Sequence, residues 1–232
     1  MLIFSDISSI KSHLNKLKKK GNIIGFVPTM GALHNGHLSL IKKSISKNNF
    51  TVVSIFVNPT QFDNPEDLLT YPSNIKNDIS LLKSISNKII LFNPDPEEIY
   101  SDGIKSQQFN FNGLDEHMEG KYRQNHFQGV ATVVSKLLSI VEPENVYFGE
   151  KDFQQLRIIE NLVFEKKINT KVIRCESRKS AARIPAFSRP RMKGLRMPPP
   201  LSLPLTRRNA LHGIPSSDCA SDSCLVTGLD SK

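Results

Sequence analysis

The sequence predicts an α/β fold, a parallel sheet with helices on both faces, and two observations carry that prediction. Short β-branched apolar runs alternate with amphipathic helical stretches over the first 176 residues. Glycine-containing turns join strand ends to helix starts along the same stretch.

Taken in order, residues 22–27 (NIIGFV) form an apolar strand run that Pro28 closes. After a Gly-rich turn, Leu38, Leu40, Ile41 and Ile45 recur at helical spacing, and residues 51–57 form a second β-branched run. Together they make a strand–helix–strand unit. Residues 77–86 read as a helix with Ile79, Leu82 and Ile85 on one face, and residues 88–92 as the next strand. Over residues 130–141, Val133, Val134, Leu137, Leu138 and Val141 lie on one stripe, followed by a strand at 145–148. A helix over 152–167 then feeds a strand at 171–175. Ligands of such sheets sit beyond the carboxyl ends of the strands, so the junctions there are the place to look for chemistry.

Composition narrows the classes. A chain of 232 residues with 38% hydrophobic and 23% charged residues is not wholly disordered. Its apolar runs fall far short of the ~20 residues that cross a bilayer, and no secretory signal precedes them. No membrane is expected, and the cytoplasm is the expected compartment. Cys175, Cys219 and Cys224 have no CxxC spacing, so neither a disulfide framework nor a zinc site is expected. The net charge of +9 suggests an anionic polymer as partner. However, residues 177–232 hold ten of the 31 Lys and Arg and three of the 22 Asp and Glu, which leaves only +2 on residues 1–176. That tail also holds seven of the fourteen prolines and shows no sustained periodicity. It reads as a poorly folding segment without interleaved aromatics, so no nucleic acid is expected as partner. The expected organisation is a catalytic domain over 1–176 and an aberrant tail over 177–232.

Three strand-to-helix junctions carry candidate chemistry. In the first, Pro28-Thr29-Met30-Gly31-Ala32-Leu33-His34-Asn35-Gly36-His37, the glycines permit close backbone approach to a ligand. A helix N-terminus beginning near His37 and two imidazoles suit a triphosphate and charge stabilisation at its α-phosphorus. In the second, Asn58 and Gln61 of Phe56-Val57-Asn58-Pro59-Thr60-Gln61-Phe62 place amides at a pocket mouth, suited to a carboxylate or hydroxyl. In the third, Tyr147-Phe148-Gly149-Glu150-Lys151-Asp152-Phe153-Gln154-Gln155, Asp152 caps the helix, Lys151 points at phosphate and Gln155 faces the cleft. Taken singly, each has a plain structural alternative: a tight turn with incidental histidines, an Asn-Pro turn starter, an exposed Glu-Lys-Asp turn. Their recurrence on one sheet edge favours function. Weaker candidates are His126 beside Arg123 for phosphate, Tyr71-Pro72, and Asp78 for helix capping or metal-water contacts, while Val133 and Val134 read as core rather than pocket lining.

Residues 28–40, 56–62, 126–138 and 149–156 together closely resemble the pantoate–β-alanine ligase family, of the HxGH-containing nucleotidyltransferase-like Rossmann group, over about residues 4–175. The resemblance implies a Rossmann-like fold, a homodimer and a two-step reaction. ATP, with Mg2+, adenylates pantoate to pantoyl-adenylate and pyrophosphate, and β-alanine then displaces AMP to give pantothenate. It further implies ATP contacts from Met30, Gly31, Ala32, Leu33, His34, Asn35, Gly36 and His37, and from Gly149, Glu150, Lys151 and Asp152. His37 would be the proton donor, with His34 and Lys151 beside it. Gln61, Gln155 and Asn58 would bind pantoate, and Gln61 would also meet β-alanine. No protein metal ligands are assigned. Where the family has an arginine after Tyr-Pro, Ser73 stands here. Where it continues with an ATP-binding loop and a C-terminal lid, only Ser188 and Arg189 match, so the lid is expected to be missing or scrambled and turnover low. A change of reading frame would account for this, since Arg191-Met192-Lys193-Gly194 read from its third base can yield the Asn-Glu-Arg that follows the family's loop. Another HxGH nucleotidyltransferase, or an inactive nucleotide-binding fragment, is the alternative.

Overall fold

The computed structural model describes residues 1–176 apart from Asp63 and Gln124. The tail from 177, with Ser188 and Arg189, lies outside the described residues. Six strands, β1 (Leu2–Phe4), β2 (Ile24–Thr29), β3 (Phe50–Ile55), β4 (Ile89–Phe92), β5 (Asn145–Gly149) and β6 (Lys171–Cys175), form one sheet in the order β1-β4-β3-β2-β5-β6. Every neighbouring pair is parallel. The principal helices are α1 (Ile7–Lys19), α2 (Asn35–Lys47), α4 (Ile75–Ile85), α7 (His126–Val141) and α8 (Phe153–Glu165). Shorter turns of helix are α3 (Pro65–Leu69), α5 (Pro96–Ile99), α6 (Met118–Tyr122) and a 3-10 turn over Pro59–Gln61.

The period of two along each strand divides the core. Phe26, Val52, Ile90, Phe92 and Val146 face one side and pack with Leu14 of α1, Leu138 of α7 and Leu162 of α8. Val27, Val53, Leu91 and Tyr147 face the other and pack with Ile41 of α2 and Leu82 of α4. Helices therefore cover both faces, as expected.

The first strand and helix are additions to the sequence reading. Asp6 caps α1 by accepting from the Ser9 N–H at 2.8 Å, Ile10 and Leu14 are buried, and lysines occupy the last turn. These are ordinary start and stop signals. Pro28 does not close β2, which runs on to Thr29, with Pro28 paired in register to Ser54 of β3. The strand tolerates it because β2 pairs with β5 only at Gly25 and Phe26, so beyond them the two strands diverge.

That divergence positions the site. The chain leaves β2 through α2 on one face toward β3 and leaves β5 through α8 on the other toward β6, so the strand order reverses between these adjacent parallel strands. A crevice opens at their carboxyl ends, the topological switch point of an open parallel sheet.

Candidate active site

The β2–α2 junction is built by its backbone. Gly31 and Ala32 both have left-handed φ values, +86° and +47°. A side chain on Gly31 would stand 3.1 Å from Ile55 Cγ2 and 3.2 Å from Asp78 Oδ2. Asp78, 1% exposed, accepts from the Leu33 N–H at 2.8 Å, while Asn74 caps α4. Asp78 is thus not the helix cap: through Oδ1 it anchors the turn.

Helix α2 begins at Asn35, within the first turn of the expected start, which makes His34 its N-cap and His37 its third residue. The two histidines cap the helix reciprocally. His34 Nδ1 accepts from the Gly36 N–H at 3.0 Å, His37 Nδ1 lies 3.4 Å from the His34 N–H, and their rings stack with centroids 4.0 Å apart. A nitrogen that accepts carries no proton, so both rings hold theirs on Nε2 and offer it outward. Burial first, then the His34 ring beside it, press the His37 pKa down to about 4, against the opposing pull of Asp78 and Asp152. His37 is therefore a neutral hydrogen-bond donor near pH 7.

Beside these rings lies a groove of about 970 Å3, lined by His34, Asn35, Gly36 and His37 and, from the β5–α8 junction, Gly149, Glu150, Lys151 and Asp152. Lys42, Lys43 and Arg174 add positive charge, with Arg174 paired to Glu160 at 2.6 Å. Cys175 reaches the groove, but burial pushes its thiol up, so it is no thiolate there. Asp152 occupies the N-cap position of α8 without the expected side-chain cap bond, and its carboxylate faces the crevice.

A second cavity of about 220 Å3 adjoins the groove, lined by Met30, Asn58, Gln61, Tyr71 and Gln155 over an apolar floor that includes Val133 and Val134. These valines serve both as core and as pocket wall, against expectation. His37 and Asp152 line both cavities, so the two meet there. Of the turn residues, Met30 faces the small cavity and Leu33 is buried, while Gly31 and Ala32 shape the bend.

The 3-10 turn that carries Gln61 is held on α7. Both amide atoms of Asn58 are engaged: Oδ1 takes Thr60 Oγ1 at 3.0 Å and the Tyr100 hydroxyl at 2.5 Å, and Nδ2 gives to Gln61 Oε1 and the Gly129 carbonyl, each at 3.1 Å. Asn58 lines the cavity, but as a brace for Gln61. His126, read as a phosphate ligand, is 5% exposed with Nδ1 2.9 Å from the Gln61 carbonyl, and Arg123 pairs with Glu119 at 3.6 Å. Sequence reasoning missed Tyr100 and Gly129. The signal for Gly129 was a glycine inside an otherwise apolar helix; Tyr100 gave none.

The model of the family described as pantoate-beta-alanine ligase matches residues 2–192. Pantothenate synthetase of Flavobacterium psychrophilum is 50% identical over 189 residues, 82% of this chain and 67% of its own length. That of Christiangramia forsetii is 47% identical over 175 residues, 75% of this chain and 62% of its own. The chain thus spans about two thirds of the length of these relatives. A crystal structure of pantoate-beta-alanine ligase from Francisella tularensis, complexed with beta-gamma ATP and beta-alanine, superposes with a TM-score of 0.73 at 48% identity, covering 78% of this chain and 69% of that one. Pantothenate synthetase from Thermus thermophilus gives 0.69 at 38% identity, covering 76% and 62%. With a matching family model over most of its length and relatives near 50% identity, this chain belongs to the pantoate–β-alanine ligase family.

Proposed function

We propose that this chain condenses pantoate with β-alanine at the cost of ATP, through a pantoyl-adenylate, releasing pyrophosphate and AMP. One observation carries the reading: His37 and Asp152 line both the large groove and the small cavity, so a nucleotide in one and a carboxylate in the other would meet at that point. In the first step a pantoate carboxylate oxygen attacks the α-phosphorus and pyrophosphate leaves. The Nε2–H donors of His34 and His37, with Lys151, stabilise the charge that develops on the phosphoryl oxygens. In the second, the β-alanine amine attacks the acyl carbon, AMP leaves with the bridging oxygen, and the nitrogen gives up one proton to solvent as the amide forms.

Gln61 and Gln155 hold pantoate over the apolar floor, with Asn58 bracing Gln61. Asp152, whose carboxylate makes no cap bond, would hold Mg2+ arriving with the triphosphate, and the ion would neutralise phosphate charge. No cluster of three or more His, Cys, Asp or Glu suited to a metal stands among the described residues. No helix among the described residues is long and apolar enough to cross a membrane. A homodimer acting in the cytoplasm completes the reading, by resemblance to the family.

The test is pantoate-dependent exchange of pyrophosphate into ATP, followed by AMP release on adding β-alanine, for this chain and for His37→Ala. Exchange that needs pantoate and falls about 100-fold in the variant is expected for loss of a transition-state donor. Exchange independent of pantoate would favour another nucleotidyltransferase.

A further inference from the structure

We propose that Tyr100 is a positioning residue for the pantoate half of this site: its hydroxyl holds the amide of Asn58 in the orientation that the backbone partners of Asn58 dictate, and Asn58 sets the direction in which Gln61 presents its own amide to the small cavity. The inference rests on the reading of that cavity as the pantoate site.

Tyr100 closes α5, is 3% exposed and lies behind Asn58. The orientation of Asn58 follows from its backbone partners. The Gly129 carbonyl can only accept, so the atom 3.1 Å from it is Nδ2; the Thr60 N–H can only donate, so the atom 3.4 Å from it is Oδ1. Tyr100 must then donate to Oδ1, and burial, by raising its pKa, keeps the phenol protonated.

The chain of consequence continues outward. Asn58 Nδ2 faces Gln61, which must answer with Oε1, at 3.1 Å. That leaves Gln61 Nε2 turned toward Met30 Sδ, 2.7 Å away, and the cavity both residues line. An N–H at that position calls for an acceptor on the ligand, a carboxylate or hydroxyl oxygen. A reversed Gln61 would set its Nε2 donor against the Nδ2 donor of Asn58. The polarity of the pocket therefore rests on how firmly Asn58 is held, and the buried Tyr100 hydroxyl, two hydrogen bonds away, makes the shortest of its hydrogen bonds.

Tyr100→Phe removes the hydroxyl and keeps the ring beside Phe56 (centroids 6.3 Å apart). Calorimetric titration of the full chain with pantoate and, separately, with ATP is the test. Loss of one orienting hydrogen bond is expected to weaken pantoate binding about fivefold to tenfold, with ATP affinity within twofold of wild type. A pantoate change below twofold, or equal weakening for both ligands, overturns the proposal. In parallel, the side-chain amide NMR signals of Asn58 and Gln61 are expected to shift and exchange faster with solvent in the variant; unaltered signals overturn the link even if the wild-type chain binds no pantoate, an outcome that would itself sink the functional reading.

Discussion

Gly129→Ala perturbs the site from behind, through a single methyl group. A Cβ at this position would stand 2.2 Å from the Thr60 carbonyl oxygen, 2.5 Å from its carbon and 2.7 Å from Gln61 Cα. Non-bonded atoms of this kind rest at roughly 3.2 Å or more, so the 3-10 turn must withdraw from α7 by about 1 Å. Overpacking of this sort costs about 1–3 kcal/mol, against a gain of about 1 kcal/mol in helix propensity from replacing glycine. Because the clashing atoms are backbone, the cost falls at the upper end of that range, and the net loss of stability is about 2 kcal/mol, which the fold can absorb. Function suffers more, because Gln61 rides on the displaced turn and a misplacement of about 1 Å is worth about 100-fold in rate. The assay is pantoate-dependent pyrophosphate exchange beside a thermal melt: a fall in kcat/KM for pantoate of about 100-fold with a melting shift of several degrees. Exchange within threefold of wild type would refute the claim that α7 sets the position of Gln61.

Two other measurements bear on the same architecture. The His37 ring, followed by NMR, is expected to titrate near pH 4 rather than 6.5, and Asp78→Asn to lower it further by removing an opposing charge; a midpoint at 6.5 contradicts the burial argument. Because the folded value is the lower one, the unfolded chain binds the extra proton first, and this residue's contribution to stability is complete above pH 6.5 and is lost as pH falls toward 4. Gly25→Ala would put a Cβ 2.2 Å from Ser44 Oγ and 2.3 Å from Asn48 Nδ2, inside a polar cluster in which Asn48 also bonds Tyr147 at 2.8 Å. A loss of about 1–3 kcal/mol in denaturant unfolding is expected, and an unchanged midpoint would mean that α2 can move off β2 freely.

The sequence made the architecture legible where hydrophobic period and turn chemistry agree, as from β2 to β3 and from β5 to β6. It misjudged Pro28, because a proline stops a strand only where its missing N–H leaves a ladder bond unmade, and here the neighbouring strand has already turned away. At the site, His34, His37, Lys151, Asp152, Gln61 and Gln155 were all visible, since each falls at a strand-to-helix junction and such junctions share one sheet edge. The support behind them was not. His126 and Asn58 have the chemistry of ligands and the partners of braces, a distinction that depends on contacts 65 and 71 residues distant in the chain. Tyr100 reaches Asn58 across 42 residues, with no local pattern to announce it.

The histidine pair shows why those distant partners matter for chemistry. Had His34 and His37 been free imidazoles at a helix N-terminus, the helix dipole and a bound triphosphate would leave their tautomers open. Each instead has its Nδ1 committed to a backbone N–H of the same turn, and Asp78 holds that turn through Leu33. Both Nε2–H groups are therefore fixed in identity before any ligand arrives. A fixed, neutral donor gains little from an anion's resting charge and more as charge accumulates on the phosphoryl oxygens, so its contribution is weighted toward the transition state. On the proposed function, the reciprocal cap is thus part of the catalytic apparatus as well as of the helix. Replacing His34 would remove one donor and the ring stacked on His37, while the backbone N–H of residue 34 would still hold the tautomer of the other.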